Sequence, residues 1–224
     1  MSRTWYLVRH GETEWNAASR IQGQLDSQLT PLGRAHARDS ARLLARLGVD
    51  VVFASPLGRV RETVAIMAEH VALPVTFDDR LKEWAAGDWS GERHADLAHK
   101  WPREWAAWDA DRYTVRSPGG ENFADLAGRA RAFLADAAAV PGDRVALIAH
   151  GFMNRALAAV LLSLSPTEMS NIRQSNDTVI RIVERGDIRI ADHFAALSGP
   201  VPGLPLKDDA LPSAPRSASV PRTC

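Results

Sequence analysis

The chain has 224 residues, of which 46% are hydrophobic and 24% are charged, enough apolar content for one large α/β domain with a substantial core. Lysine plus arginine and aspartate plus glutamate each total 27, so no global field draws the protein to nucleic acid or to an acidic membrane surface. Any site for an anion must therefore be local.

The single cysteine and the short apolar run near the start bear on the cellular compartment. Cys224 has no second cysteine with which to form a disulfide or a cysteine metal cluster. Residues 5–8 are too few for a signal peptide or a membrane span. We therefore expect a protein of the reducing cytoplasm, with neither membrane nor nucleic-acid partners.

Five segments predict strands because apolar and β-branched residues cluster in them. They are residues 4–8, 51–54, 74–77, 144–149 and 178–183. Helices are predicted over residues 30–48, 57–70, 122–139 and 152–162. The first helix has clear boundaries, since Thr30 and Pro31 are a capping hydroxyl and a first-turn proline and Gly48 ends it. This alternation predicts a three-layer α/β sandwich, a mostly parallel central sheet flanked by helices.

The last part of the sequence changes in composition. From Gly199 onward proline, serine, alanine and glycine dominate, and the apolar periodicity ends. Such a segment buries too little apolar surface to order itself. We predict one folded domain over residues 1–198 and a disordered tail over residues 199–224.

Arg9, His10 and Gly11 directly follow the apolar run of residues 5–8. The carboxyl end of a buried strand is where open α/β sheets hold their ligands. A histidine beside an arginine suits an anionic electrophile, of which phosphate is the commonest. The tripeptide alone leaves a second interpretation open, a strand-end histidine satisfied by a backbone carbonyl.

Polar residues also follow two later apolar runs. Residues 55–63 contain Arg59 and Arg61, which point to different faces of the predicted helix. Residues 145–149 lead into His150 and Gly151, the same order as at the first strand.

A loop between these segments contains Glu83. A carboxyl group near bound phosphate can supply the proton that a leaving alkoxide needs. The alternative is an exposed loop carboxylate paired with the adjacent Lys82. Glu83 with His10 and His150 is also a possible zinc ligand set, although two nearby arginines disfavour a cation there.

The opening residues 7–16 read L-V-R-H-G-E-T-E-W-N and resemble the signature L-V-R-H-G-E-T-x-W-N of the histidine phosphatase superfamily, also called phosphoglycerate mutase-like. The resemblance continues through Gln22 and Gly23, residues 29–33 and residues 174–176. Residues 55–63 resemble the family pattern S-P-L-x-R-A-x-x-T, and residues 81–91 resemble L-x-E-x-x-x-G-x-W-x-G. Phe152 departs from the family's H-G-G, which is expected to reshape the floor of the pocket.

The resemblance implies a role for each candidate residue. His10 is the nucleophile that forms a phosphohistidine, and Glu83 is the proton donor. The other residues implied to be catalytic, which also hold the phosphoryl group, are Arg9, Arg59 and His150. Further substrate contacts are implied at Asn16, Gln22, Gly23 and Gly151. For Asn16 a structural cap is an equal alternative. No metal and no cofactor is implied.

These roles predict an enzyme, a phosphomonoesterase that acts on a small-molecule phosphomonoester. The alternatives are a cofactor-dependent phosphoglycerate mutase and a non-catalytic phosphoanion-binding regulatory module. Residues 91–117 argue against the mutase, because they are short and lack the extended, basic, proline-rich segment of the family's mutases. The natural substrate and the oligomeric state stay open, a homodimer included.

Trp101, Trp105 and Trp108 recur at helical spacing. Such a stripe is more often core than ligand cage, so we expect core, with a substrate cap as the alternative. Surface or packing positions are expected for the remaining histidines, which have no matching partner: His36, His70, His94, His99 and His193.

Overall fold

A computed structural model describes residues 2–207. Within them the central sheet contains seven strands, which are β1 (Ser2–Arg9), β2 (Val51–Ala54), β3 (Val75–Phe77), β4 (Arg144–Ala149), β5 (Thr178–Arg185), β6 (Ile188–Ala195) and β7 (Ser198–Pro202). Their order across the sheet is β3-β2-β4-β1-β5-β6-β7. The first four strands in this order run parallel, and each of the last three is antiparallel to its neighbour. The sheet is therefore mixed, since four of the five predicted strands form its parallel part and the fifth, β5, is antiparallel to β1.

The helices are α1 (Glu14–Ala17), α2 (Pro31–Leu47), α3 (Gly58–Met67), α4 (Leu97–Lys100), α5 (Pro102–Ala110), α6 (Phe123–Ala137), α7 (Gly151–Leu162) and α8 (Pro166–Asn171). The boundaries predicted for α2 are confirmed. Thr30 Oγ1 accepts the Gly33 N–H at 2.9 Å, and Gly48 has the left-handed φ of 65° that ends the helix.

Alternate side chains of β1 enter different hydrophobic clusters. Trp5 and Leu7 pack in one cluster with residues of α6 and α7, whereas Tyr6 and Val8 pack in another with residues of α2 and α3. Because successive side chains of a strand point to opposite faces, the sheet lies between two helical layers. The predicted three-layer α/β fold is confirmed.

The predicted end of the folded domain at residue 198 is wrong. Ser198–Pro202 form β7, which pairs with β6. Beyond it the Arg173 N–H donates to the carbonyl of Pro205 at 2.7 Å, and Pro205 is buried. Composition hid this strand, because an edge strand pairs on one side only and so tolerates proline. The rest of the predicted tail, residues 208–224, lies outside the described residues.

No helix within residues 2–207 is both long and apolar enough to cross a membrane.

Candidate active site

The two motif histidines lie side by side at one edge of the sheet. Arg9 is opposite Ala149 in the parallel register of β1 and β4, so His10 and His150 leave the two strands at the same level. Their ring centroids are 5.3 Å apart, in an edge-on arrangement.

The His10 ring is held in one tautomer. Its Nδ1 lies 2.8 Å from the carbonyl oxygen of Gly11, and since a carbonyl can only accept, Nδ1 carries the proton. Nε2 accepts the Arg59 Nε–H at 3.2 Å. Burial lowers the pKa of His10 well below its usual range, and Arg59 and then Arg9 lower it further. At neutral pH the ring is uncharged, with its lone pair on Nε2.

Arg59 reaches His10 from the first turn of α3 and is only 1% exposed. Its guanidinium donates to the carbonyl oxygens of Gly23 at 2.8 Å and Leu25 at 2.6 Å. It also pairs with the Asp26 carboxylate at 2.8 Å. Asp26 in turn accepts the backbone N–H groups of residues 58 and 59, which anchors it at the start of α3. These contacts fix the direction of the guanidinium.

Two basic side chains that the sequence left as alternatives lie elsewhere. The Arg61 guanidinium is 4.2 Å from the ring centroid of Phe77 and exposed. Lys82 pairs with Asp79 at 2.9 Å and not with Glu83.

Residues 174–176 hold the carboxyl end of β1. Arg9 Nη1 donates to the Gln174 carbonyl at 2.8 Å, and the buried Gln174 side chain donates to the Leu7 carbonyl at 2.8 Å. Asn176 Nδ2 donates to the His10 carbonyl at 2.8 Å. This motif therefore positions the backbone on which Arg9 and His10 stand.

Glu83 lies against the N-terminus of α7. Its carboxylate accepts the backbone N–H groups of Trp84 at 3.0 Å, Phe152 at 3.3 Å and Met153 at 3.1 Å. The positive end of a helix dipole stabilises a carboxylate in this position. Glu83 is thereby fixed in the wall of the cavity that also contains His10.

His150 is fully buried and packs against His10 without lining the cavity. Its Nε2 is 2.7 Å from Ser55 Oγ, and its Nδ1 has no hydrogen-bond partner within residues 2–207. Burial lowers the pKa of His150 well below its usual range, and Arg59 is the next cause. Ser55 thus orients the second histidine through this hydrogen bond, a role that its place in the motif of residues 55–63 did not predict.

A cavity of about 400 Å³ opens at these side chains. The predicted residues that line it are Arg9, His10, Asn16, Gln22, Gly23, Arg59, Glu83 and Gly151. Asn16 also has the capping role left open for it, because its Oδ1 accepts the Thr13 N–H at 3.2 Å at the start of α1. Apart from His150, all the predicted site residues meet in one cavity.

Gly11 is required by a close approach of two motif segments. A Cβ on Gly11 would lie 2.1 Å from the Gly33 carbonyl oxygen, and a Cβ on Gly33 would lie 1.9 Å from that of Glu12. The Gly11 N–H also donates to Thr63 Oγ1 at 3.1 Å. Backbone contact between residues 11–12 and 33 therefore supports the loop that carries His10.

One wall of the cavity is aromatic. Trp105 and Trp108 both line it. Trp108 belongs to the main hydrophobic cluster, against which Trp105 packs, and Trp108 stacks on Trp84 with centroids 5.4 Å apart. Phe152 joins this wall, with its centroid 5.4 Å from that of Trp84. His94 also lines the cavity, edge-on to Trp105 at 4.9 Å, a position that sequence reasoning missed.

Sequence reasoning also missed four arginines on the cavity wall: Arg20, Arg112, Arg155 and Arg173. Nothing in the local sequence separates them from surface arginines. Within the described part of the chain, no three His, Cys, Asp or Glu side chains converge as a metal-binding group.

The sequence matches the model of a known protein family. The model of the histidine phosphatase superfamily (branch 1) matches residues 5–193. The chain belongs to the histidine phosphatase superfamily. It is an enzyme of the histidine phosphatase type, as its structural neighbours are.

This superfamily member resembles both mutase-named and phosphatase-named proteins. It is 36% identical over 181 residues to the "Probable phosphoglycerate mutase GpmB" of Salmonella paratyphi B, covering 79% of this chain and 83% of that protein. A mycobacterial glucosyl-3-phosphoglycerate phosphatase in complex with VO3 is 34% identical, with a TM-score of 0.74 over 80% of this chain and 92% of that one. The alpha-ribazole phosphatase of Shigella flexneri is 25% identical, with a TM-score of 0.76 over 83% and 93%.

Proposed function

We propose that this superfamily member is a phosphomonoesterase that acts through a phosphohistidine on His10 Nε2. The tautomer of His10 is the observation that carries the proposal. The carbonyl of Gly11 accepts the Nδ1–H, so the lone pair lies on Nε2, which contacts Arg59 in the cavity wall. Arg9 and Arg59 supply the charge that a phosphoryl group needs beside this nitrogen.

The reaction proceeds in two transfers. In the first, the Nε2 lone pair of His10 bonds to phosphorus as the ester P–O bond breaks, and Glu83 gives its proton to the leaving alkoxide oxygen. In the second, water bonds to phosphorus, Glu83 takes a proton from that water, and the P–N electron pair returns to Nε2. The Arg59 Nε–H, which donates to Nε2 in this structure, shifts to a phosphoryl oxygen when attack begins. His150 packs against His10 without lining the cavity in this structure, so its ring has to turn toward the cavity to give the phosphoryl group a hydrogen bond.

The intermediate can be trapped directly. Mixing the protein with a ³²P-labelled phosphomonoester and quenching rapidly in alkaline detergent should leave acid-labile label on the protein. His10→Ala should carry no label and should not turn over, whereas His70→Ala, an exposed-site control, should behave as wild type. Hydrolysis that persists in His10→Ala would refute the phosphohistidine mechanism.

Turnover should also continue in the presence of chelators and need no magnesium, because arginines neutralise the phosphoryl charge. Strong metal dependence would instead support the zinc alternative.

A phosphoglycerate mutase is the second candidate, favoured by the name of the Salmonella relative. A mutase must exclude water while its phosphorylated intermediate persists. Here residues 91–117 contain only the 3-10 helix His94–Asp96, the four-residue α4 and the nine-residue α5. We expect hydrolysis of a phosphomonoester to exceed interconversion of 2- and 3-phosphoglycerate by a wide margin, without stimulation by bisphosphoglycerate. Efficient isomerisation primed by that bisphosphate would reverse the ranking.

A further inference from the structure

The cavity carries more positive charge than one phosphoryl group needs. Its wall contains six arginines and one carboxylate, that of Glu83, in a chain whose formal net charge is +0. Arg9 and Arg59 are accounted for, because they stand beside His10. The excess charge therefore lies on arginines away from the nucleophile.

Arg155 is the side chain that most needs explaining. It is 6% exposed, and within residues 2–207 its Nε and Nη1 have no hydrogen-bond partner. Burial, and next the nearby Arg173, lower the pKa of Arg155 to about 9, so the group is still charged at neutral pH. A buried, unpaired cation destabilises a fold. An anion that is not part of this chain would supply the missing partner.

The position of Arg155 on α7 relates it to the leaving group. Glu83 contacts the first turn of α7 through the N–H groups of Phe152 and Met153. Arg155 lies four residues after Gly151, about 6 Å further along the helix axis. Its guanidinium rests 4.7 Å from the ring centroid of Phe152. A leaving alcohol protonated by Glu83 thus has Arg155 within one further turn.

Two more arginines reach the same cavity from other parts of the chain. Arg112 follows α5, and its guanidinium stands 4.5 Å from the ring centroid of Trp108 while pairing with the exposed Asp109. Arg173 follows α8, is exposed, and forms no ion pair within residues 2–207. After burial, Arg112 is the main cause that lowers the pKa of Arg173. Like charges on the wall of one cavity favour the binding of an anion there.

We propose that Arg112, Arg155 and Arg173 form a second oxyanion site, which binds a carboxylate or phosphate on the leaving alcohol of the substrate. This inference rests on the proposed phosphatase function, because a phosphoryl group at His10 is what places the alcohol there. The substrate class is a phosphomonoester that bears a second anionic group.

Three non-hydrolysable probes test this site by titration calorimetry. 2-Hydroxy-4-phosphonobutyrate, butane-1,4-bisphosphonate and 3,4-dihydroxybutylphosphonate carry a carboxylate, a phosphonate and a hydroxyl at the far end. One of the two probes with an anionic group at the far end should bind at least about tenfold more tightly than the hydroxyl probe, as expected for hydrogen bonds to a charged group. The tighter of the two identifies the source of the oxyanion.

Variants assign the preference to the arginines. Arg155→Gln should remove most of it, and Arg61→Gln, an exposed arginine outside the cavity, should keep it. Arg155→Gln should unfold at no lower a temperature than wild type, because an unpaired buried charge is lost. If it does not fold, Arg173→Gln on the exposed member should show the same loss. Equal binding of all three probes, or a preference that survives both substitutions, would overturn the second site.

Hydrolysis of 4-nitrophenyl phosphate by the same preparation separates the two proposals. A protein that prefers the probes with a second anionic group but hydrolyses nothing refutes the phosphatase alone. A protein that hydrolyses without any preference refutes the second site alone.

Discussion

The protonation state and tautomer of His10 depend on contacts from three residues, Asp26, Arg59 and Gly11. Asp26, bound by the first amides of α3, holds the Arg59 guanidinium, and Arg59 points its Nε–H at His10 Nε2. A proton on Nε2 would face that donor directly, so the contact opposes protonation of the ring. The carbonyl of Gly11 at the opposite nitrogen completes the choice of tautomer.

Glu83→Gln tests the proton donor at the same scale. The amide keeps an oxygen for the α7 N–H groups but cannot give up a proton to the alkoxide. Hydrolysis of an alkyl phosphate should fall by about 10²-fold or more, and that of 4-nitrophenyl phosphate by much less, since nitrophenolate is a weak base. Steady-state kinetics on both substrates measures this, with Glu104→Gln on the exposed surface of α5 as the matched control. Equal losses on both substrates would mean that Glu83 only positions other groups.

At the scale of elements, the site depends on two strand ends and one helix end. The parallel pairing of β1 and β4 brings His10 beside His150. The N-terminus of α7 then contributes Gly151 to the cavity wall, binds Glu83 and presents Arg155 one turn further on. A shift of α7 relative to the sheet would therefore disturb the proton donor and the proposed second site together.

The edge strand β7 gives a prediction at this scale. A chain ending at Ser198 lacks the pairing of β7 with β6 and the contact of the Pro205 carbonyl with the Arg173 N–H, whereas a chain ending at Lys207 keeps both. Because each kcal/mol of lost stability lowers the Tm by about 2–4 °C in a protein of this size, the shorter chain should melt several degrees lower. Thermal unfolding followed by circular dichroism compares the two chains. Equal melting temperatures would show that these contacts add no stability.

At the scale of the whole molecule, positive charge is concentrated in the cavity of a chain with no net charge. Two buried neutral histidines share this environment, and burial lowers the pKa of both His10 and His150 well below the ordinary value of 6.5. In the unfolded chain these rings regain their ordinary pKa. Between the folded and unfolded pKa values the unfolded state therefore binds more protons.

The stability of the whole protein should consequently depend on pH. The stabilising contribution is complete above pH 6.5 and is lost as the pH falls below it, by up to about 1.4 kcal/mol per pH unit for each histidine. Urea unfolding between pH 7 and pH 5 measures the slope of the free energy of unfolding against pH. Hydrogen bonds to arginine lower the pKa values of Asp78 and Asp125, so these two carboxyl groups begin to titrate only below this pH range. His94, whose pKa burial also lowers, adds in the same direction. His10→Ala should show a shallower slope, and a free energy of unfolding that is constant over this range would contradict the neutral buried rings.

Local sequence was sufficient for most of the architecture and for the core of the candidate site. Apolar runs define the parallel strands, and the polar residue after each run lies at a carboxyl strand end, so His10 and His150 were recognisable without coordinates. Caps such as Thr30 are equally local. Strands β6 and β7 were not recognisable, because Ile188 and Ile190 of β6 are exposed and the edge strand β7 contains proline, so neither shows the pattern of a buried strand.

The charge of the cavity was decided by the tertiary structure alone. Residues 91–117 contain no continuous basic segment, and Arg112, Arg155 and Arg173, which come from three separate parts of the chain, meet only after folding. Each one reads as an ordinary surface arginine in the sequence. Electrostatic interaction depends on the distance between charges and on how much water lies between them. Neither quantity follows from separation along the chain, so an unpaired buried arginine becomes visible only when its neighbours are in place.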